Sequence, residues 1–128
     1  MTPTEAIPRL LAVPHVPGGG SWSGADCWGV VELWYWHVLG IELTDRSDRP
    51  PGPSSVQGWA DEGQGWQAIP SPEDHCLILM RSGRLAAGHV GVVFQNRVLH
   101  SAKSHGCVYQ PLSDRLIRAM TTGYLRKS

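Results

Sequence analysis

GADCWGVVELWYWHVLG, residues 24–40, sets a cysteine between an aspartate and a long apolar run. Asp26 is of the N-cap type, and Cys27, Val30, Val31, Trp34 and Val38 recur at the spacing of one helical stripe. Gly40 is a natural C-terminal stop. The stretch predicts an amphipathic helix from about Cys27 to Leu39, its stripe facing a core and its thiol on the first turn. A thiol in that position feels the positive end of the helix dipole, which favours the thiolate. Whether Cys27 packs or reacts depends on the partner that the rest of the chain brings to it.

Working outward, PGGGSWSG (17–24) reads as a turn-forming loop before the helix. Residues 44–72, rich in Pro, Gly and polar side chains around Trp59 and Trp66, read as a long surface loop with at most one short helix. A loop of that length in a small domain is expected to form a binding wall or lid. Five candidate strands follow: CLILMR (76–81), HVGVVF (89–94), RVLHSAK (97–103), CVYQP (107–111) and GYLR (123–126). If Gln95-Asn96 is a two-residue turn, Phe94 pairs with Arg97 and the register runs Gly91 opposite His100 and His89 opposite Ala102. His89 and His100 are then diagonal neighbours on one face, roughly 7–8 Å apart at the backbone. Gly91 removes the side chain that would crowd His100. One imidazole can take the proton of Cys27 and the other can orient the first, a nucleophile, base and orienter arrangement reached by many folds.

Length and composition narrow the function classes. At 128 residues the chain fits a single domain, residues 1–128, and an apolar content of 41% with six Trp supports a packed core. Eleven Lys+Arg balance eleven Asp+Glu, which argues against a nucleic-acid partner. No charged segment followed by an apolar run stands at the N-terminus, and no stretch is long and apolar enough to span a membrane, so neither an export signal nor a membrane span is expected. Three cysteines without paired spacing fit free thiols in a reducing compartment better than disulfides.

GADCWGVVELWY followed some sixty residues later by GHVGVVFQNRVLHSA resembles the NlpC-type cell-wall cysteine peptidases, compact relatives of the papain fold. The resemblance covers roughly residues 10 to 126. It implies Cys27 as nucleophile, His89 as general base and His100 as the third polar residue, with Asp26, Gly29 and Gly91 at positions that shape the site. Family members usually carry Pro-Tyr about twelve residues before the cysteine, the tyrosine helping to hold the oxyanion; the matching dipeptide here is Pro14-His15. His15 is therefore expected to assist the Cys27 backbone N–H in that role. The usual Pro-Gly-Asp before the first strand is replaced by PEDHC, which keeps Asp74 and adds His75 and Cys76. The Trp after the cysteine, the short chain and the LMR strand followed by GHVGVV are most similar to members encoded with bacteriophage tail genes.

Simpler readings stand beside these. A lone cysteine on an apolar stripe is ordinarily core, as a lone strand histidine is ordinarily a satisfied one. Cys76 and Cys107 are read as packed strand residues, His37 as a helix-surface residue, and Trp22, Trp28, Trp59 and Trp66 as packing, the last two in a loop that could border a cleft. His75, Cys76, His105 and Cys107 invite a zinc reading, but adjacent strand residues point to opposite faces and paired ligand spacing is missing.

The expected molecule is an α+β domain of papain-like NlpC type, the cysteine helix packed on an antiparallel sheet of about five strands. Its expected activity is thiol-dependent hydrolysis of an amide in peptidoglycan stem peptides, with the D-glutamyl-diaminopimelate bond that the resembled family favours as the expected target, and with no cofactor and no metal. Expected partners are the stem peptides and other phage tail proteins, in the virion tail or in the host cytoplasm before assembly. The alternatives are a non-enzymatic tail component that keeps the fold, and an amidase or acyltransferase using the same thiol.

Overall fold

The computed structural model describes residues 1–43, 65–83 and 85–128. Most of the expected long loop, Trp59 included, lies outside the described residues.

The helix read from the opening stretch is α2, Cys27–Leu39, after an N-terminal helix α1, Pro3–Leu11, and two short strands, β1 Gly20–Ser21 and β2 Gly24–Ala25. Asp26 caps α2 by accepting from the Gly29 N–H, and Gly40 ends it in the left-handed conformation at φ 69°. Val30, Val31 and Trp34 of the expected stripe are fully buried, with Cys27 and Val38 packed at its border. The helix is not amphipathic, however. Trp28, Leu33 and Tyr35, off the stripe, are buried as well, because Trp66 and α1 cover further faces of the helix. Trp66 meets both Trp28 and Tyr35 edge-on, with ring centroids 6.3 and 5.6 Å apart, and α1 brings Ala6 and Leu10 into the same core.

Helix α1 was not anticipated, although its start is written locally. Thr2 caps the Glu5 N–H, the Glu5 carboxylate returns to the Thr2 N–H at 3.1 Å, and Pro3 takes the first helical position, the reciprocal box that marks a helix start.

Five strands match those expected: β4 Leu77–Ser82, β5 Leu85–Phe94, β6 Arg97–Ala102, β7 Gly106–Pro111 and β8 Thr121–Lys127. A sixth, β3 Trp66–Ile69, emerges from the end of the segment read as loop. The sheet is antiparallel, in the order β3-β8-β4-β5-β6-β7. Strands β4 to β7 form a meander, and a six-residue helix, α3 Arg115–Met120, links the edge strand β7 to β8. Alternation along the strands separates two cores. Leu77, Leu79, Val90, Val92 and Leu99 pack toward α2, while Ile78, Met80, Val93 and Val98 pack with Ile117 of α3.

The Gln95-Asn96 turn forms as expected. Both residues have positive φ, 51° and 60°, the geometry of a tight hairpin turn whose twist matches the strands. Phe94 pairs with Arg97, Val93 with Val98 and Val92 with Leu99. Asp74 supports the turn by accepting from the Gln95 N–H at 2.9 Å.

Gly91 and Gly29 are among the glycines that stand where backbones come too close for a side chain. A Cβ on Gly91 would lie 2.5 Å from Val98 Cγ2 and 2.7 Å from the Leu99 carbonyl. One on Gly29 would run into the Gly19 carbonyl oxygen and come within 3.0 Å of Ala25 Cβ. Alanine is intrinsically favoured over glycine inside a helix by about 1 kcal/mol. Gly29→Ala is nonetheless expected to lower the melting temperature, because the clash falls on backbone that cannot swing aside; an unchanged or higher melting temperature by circular dichroism would show that the approach is relaxed.

Candidate active site

The head of α2 is built by its cap. Asp26 Oδ1 accepts from the Gly29 N–H at 2.8 Å and Oδ2 accepts from the Gly18 N–H at 3.2 Å. Its carboxylate thus ties the glycine-rich loop to the helix start, which makes Asp26 a shaping residue. Cys27 follows as the first helical residue, half-buried, at the end where helix N–H groups have no intrahelical acceptor and the dipole favours negative charge.

Past the last paired residues of β5 and β6, the two imidazoles meet directly: His89 Nε2 lies 2.8 Å from His100 Nδ1, the rings edge to face with centroids 5.0 Å apart. His100 Nε2 lies 2.6 Å from Gln110 Oε1 on β7. An amide oxygen only accepts, so His100 carries its proton on Nε2 and donates it to Gln110. His100 Nδ1 is then an acceptor, and His89 must donate to it from Nε2. The proton of neutral His89 is thereby fixed on Nε2, leaving Nδ1 with its lone pair available as a base. Burial, with the His100 and His15 charges adding to it, pushes His89 down to about 4; burial also lowers His100. Both rings are therefore neutral at physiological pH, the state in which this chain of donors holds. Gln110 was missed from the sequence because nothing local distinguishes it. Only the β6–β7 register, with Val98 opposite Gln110 and His100 opposite Val108, sets it on the same face.

His15 joins the site from the other side. The residue forms a bridge with Ala25, and its Nδ1 lies 2.8 Å from Ser101 Oγ. Ser101, buried on β6, donates in turn to the Ala25 carbonyl at 3.0 Å. This serine was also unread in the sequence, since it follows His100 and faces the other way.

Cys27, His89, His100, His15 and Asp26 all line one cleft of about 870 Å³. Gly29 and Gly91 act behind it, as the close approaches described above. Arg81 and Lys103 stand at the cleft, and Leu116, Ile117 and Met120 of α3 add an apolar wall. A thiol at a helix head, with a neutral imidazole and a polar relay in one cleft, is suited to nucleophilic attack on a carbonyl with general-base assistance.

The remaining candidates fall elsewhere. Cys76 and Cys107 are buried in the two different cores; burial raises the Cys76 thiol and pushes Cys107 up to about 12, so both stay protonated. The zinc reading thus loses its geometry. His75 meets the Trp34 indole N–H at its Nδ1, 3.1 Å away, and stacks near Phe94. His37 is half-buried and packs against Trp22, with centroids 4.9 Å apart, while the Arg9 guanidinium covers Trp22 at 4.2 Å. Trp66 packs in the core.

Among solved structures, a lipoprotein-like NLP/P60 protein from Staphylococcus aureus is 26% identical with a TM-score of 0.67; the match covers 97% of this chain and 39% of that one. The NlpC/p60 domain of the peptidoglycan hydrolase SagA is 18% identical with a TM-score of 0.61, covering 96% of this chain and 93% of that one. The chain thus spans well under half the length of the staphylococcal protein. No curated protein matches the sequence. The NlpC/P60 family model matches residues 12–126, from just before His15 into β8, and the chain belongs to the NlpC/P60 family.

Proposed function

We propose that the chain is a cysteine peptidase that hydrolyses an amide bond in the peptide stems of peptidoglycan, with the D-glutamyl-diaminopimelate bond as its target. The observation that carries this reading is the donor chain His89 to His100 to Gln110, which leaves one basic nitrogen in the cleft that Cys27 also lines. Family membership and the likeness to a domain of a peptidoglycan hydrolase support the substrate class.

In the proposed reaction His89 Nδ1 takes the thiol proton and Cys27 Sγ adds to the scissile carbonyl. The oxygen that becomes negative is held at the head of α2 by the Cys27 N–H, with His15 beside it. The imidazolium of His89 returns its proton to the leaving amine, and a thioester remains. Water, deprotonated by the same nitrogen, hydrolyses it. His100 and Gln110 keep His89 in its reactive tautomer throughout. No cofactor enters this scheme.

The sequence likeness to phage tail-associated members carries the setting: a hydrolase assembled with other tail proteins, made in the host cytoplasm and opening peptidoglycan from the virion tail. No helix among the described residues is long and apolar enough to cross a membrane.

Incubating the protein with purified peptidoglycan and identifying released fragments by mass spectrometry is expected to show cleavage at the D-glutamyl-diaminopimelate bond. Cys27→Ala is expected to remove turnover, and His89→Ala to lower it by roughly 10²–10⁴-fold, the usual worth of a positioned acid–base group. His100→Asn, which can still accept a hydrogen bond, is expected to retain a measurable fraction. Fragments released equally by Cys27→Ala would overturn the peptidase reading, and a wild type without turnover would favour a tail component that keeps only the fold.

Iodoacetamide is expected to label Cys27 before Cys76 and Cys107, even near pH 6, since the latter two are buried thiols held protonated. Equal labelling of all three in the folded protein would argue against an activated thiol.

Holding the base neutral also costs acid stability. His89 and His100 have folded-state pKa values below their unfolded ones, so between the two values the unfolded chain binds more protons and stability falls as pH drops. The loss is expected to begin near pH 6.5 and, for His89, to level off near its folded value of about 4, amounting to on the order of 3 kcal/mol. Urea unfolding across this range checks it; His89→Gln is expected to flatten the dependence.

A further inference from the structure

His15 replaces a phenol that would donate a hydrogen bond at any physiological pH, and its ability to do the same depends on where its proton sits. Ser101 decides that. The Ser101 hydroxyl has one hydrogen, and the Ala25 carbonyl oxygen 3.0 Å away can only accept, so that hydrogen points at Ala25. The contact of 2.8 Å between Ser101 Oγ and His15 Nδ1 must then be a donation from the ring. Neutral His15 therefore carries its proton on Nδ1, directed at Ser101, and its Nε2 is a bare lone pair. A lone pair repels a developing oxyanion.

We propose that Ser101 is a positioning residue that locks His15 in the Nδ1-protonated form, so that the ring can donate to the oxyanion only as the imidazolium. The inference rests on the peptidase reading for its kinetic consequence, but not for the tautomer itself. It makes oxyanion assistance dependent on a proton that a tyrosine would not need. The ionisable groups that share the cleft are Asp26 and Cys27 at the head of α2, Arg81 on β4, His89 on β5, and His100, Lys103 and His105 on or beyond β6. The Ala25 carbonyl also accepts from the Val16 N–H at 3.2 Å, so the acceptor that directs the serine is held on both sides.

Nitrogen-15 NMR of the imidazoles tests the tautomer directly. His15, identified by the signal missing in His15→Asn, is expected to show protonated Nδ1 and unprotonated Nε2 at high pH. Nε2-protonated His15 would overturn the proposal. Turnover of muropeptides against pH tests the consequence: in the wild type it is expected to fall toward alkaline pH. His15→Tyr, which keeps a donor, is expected to lose that fall. Ser101→Ala, which frees the ring to protonate Nε2, is expected to lose it as well, whereas Ser101→Thr is expected to keep the wild-type profile. An alkaline fall that is the same in the wild type and His15→Tyr would overturn the proposal even if Ser101→Ala failed to fold. A protein without turnover would sink the peptidase reading instead, and the NMR result would then decide the tautomer alone.

Discussion

The backbone of Ala25 is where the parts of the site are joined. Its N–H donates to the Pro14 carbonyl at 3.0 Å, and its carbonyl accepts from Val16 at 3.2 Å and from Ser101 at 3.0 Å. One residue thus anchors the segment that carries His15, the sheet strand that carries His100, and the chain entering the cysteine helix. Burial at 0% exposure protects these bonds from competition by water. The placing of Cys27 against the sheet follows from them. The cap at Asp26 and the close approach at Gly29 add two further constraints at the head of the helix.

The histidine pair shows a second kind of economy. Two neutral imidazoles and an amide form a line in which each group has one possible role, since the amide oxygen at the far end can only accept. The direction of every hydrogen bond is determined from that end. Charge on His89 is disfavoured by burial and by its neighbours, so the resting site holds a base rather than an acid. The same burial keeps the thiols of Cys76 and Cys107 protonated, whereas Cys27 sits at a helix end and is not fully enclosed.

What could be read from the sequence was local. The cap, stripe and stop of α2 lie within seventeen residues, and the two-residue turn fixed the hairpin register by itself, so the meeting of His89 and His100 was within reach. The six-stranded sheet was not, because β3 is a short run inside a Pro- and Gly-rich segment and becomes a strand only by pairing with β8. The burial of Trp28, Leu33 and Tyr35 was hidden for a similar reason: periodicity shows one apolar face, whereas here Trp66 and α1 cover others. Gln110 and Ser101 have no pattern of their own, and their roles come from partners far along the chain. Helix α1 is the exception, since Thr2, Pro3 and Glu5 spelled out its start.

The strand order has a consequence for how the molecule comes to exist. β8 pairs on one side with β3 and on the other with β4, so the meander of β4 to β7 can assemble while β4 still has a bare flank. That flank includes Leu77, Ile78 and Leu79, buried in the finished protein, and an apolar strand with open backbone groups is a template for pairing with another chain. During synthesis the hazard lasts until Thr121–Lys127 has left the ribosome and crossed from β7 over the sheet. Long-range closure of this kind is slow compared with hairpin formation. β8 is the strand that covers this flank, and truncations of a few residues there would be felt as aggregation before they were felt as lost chemistry.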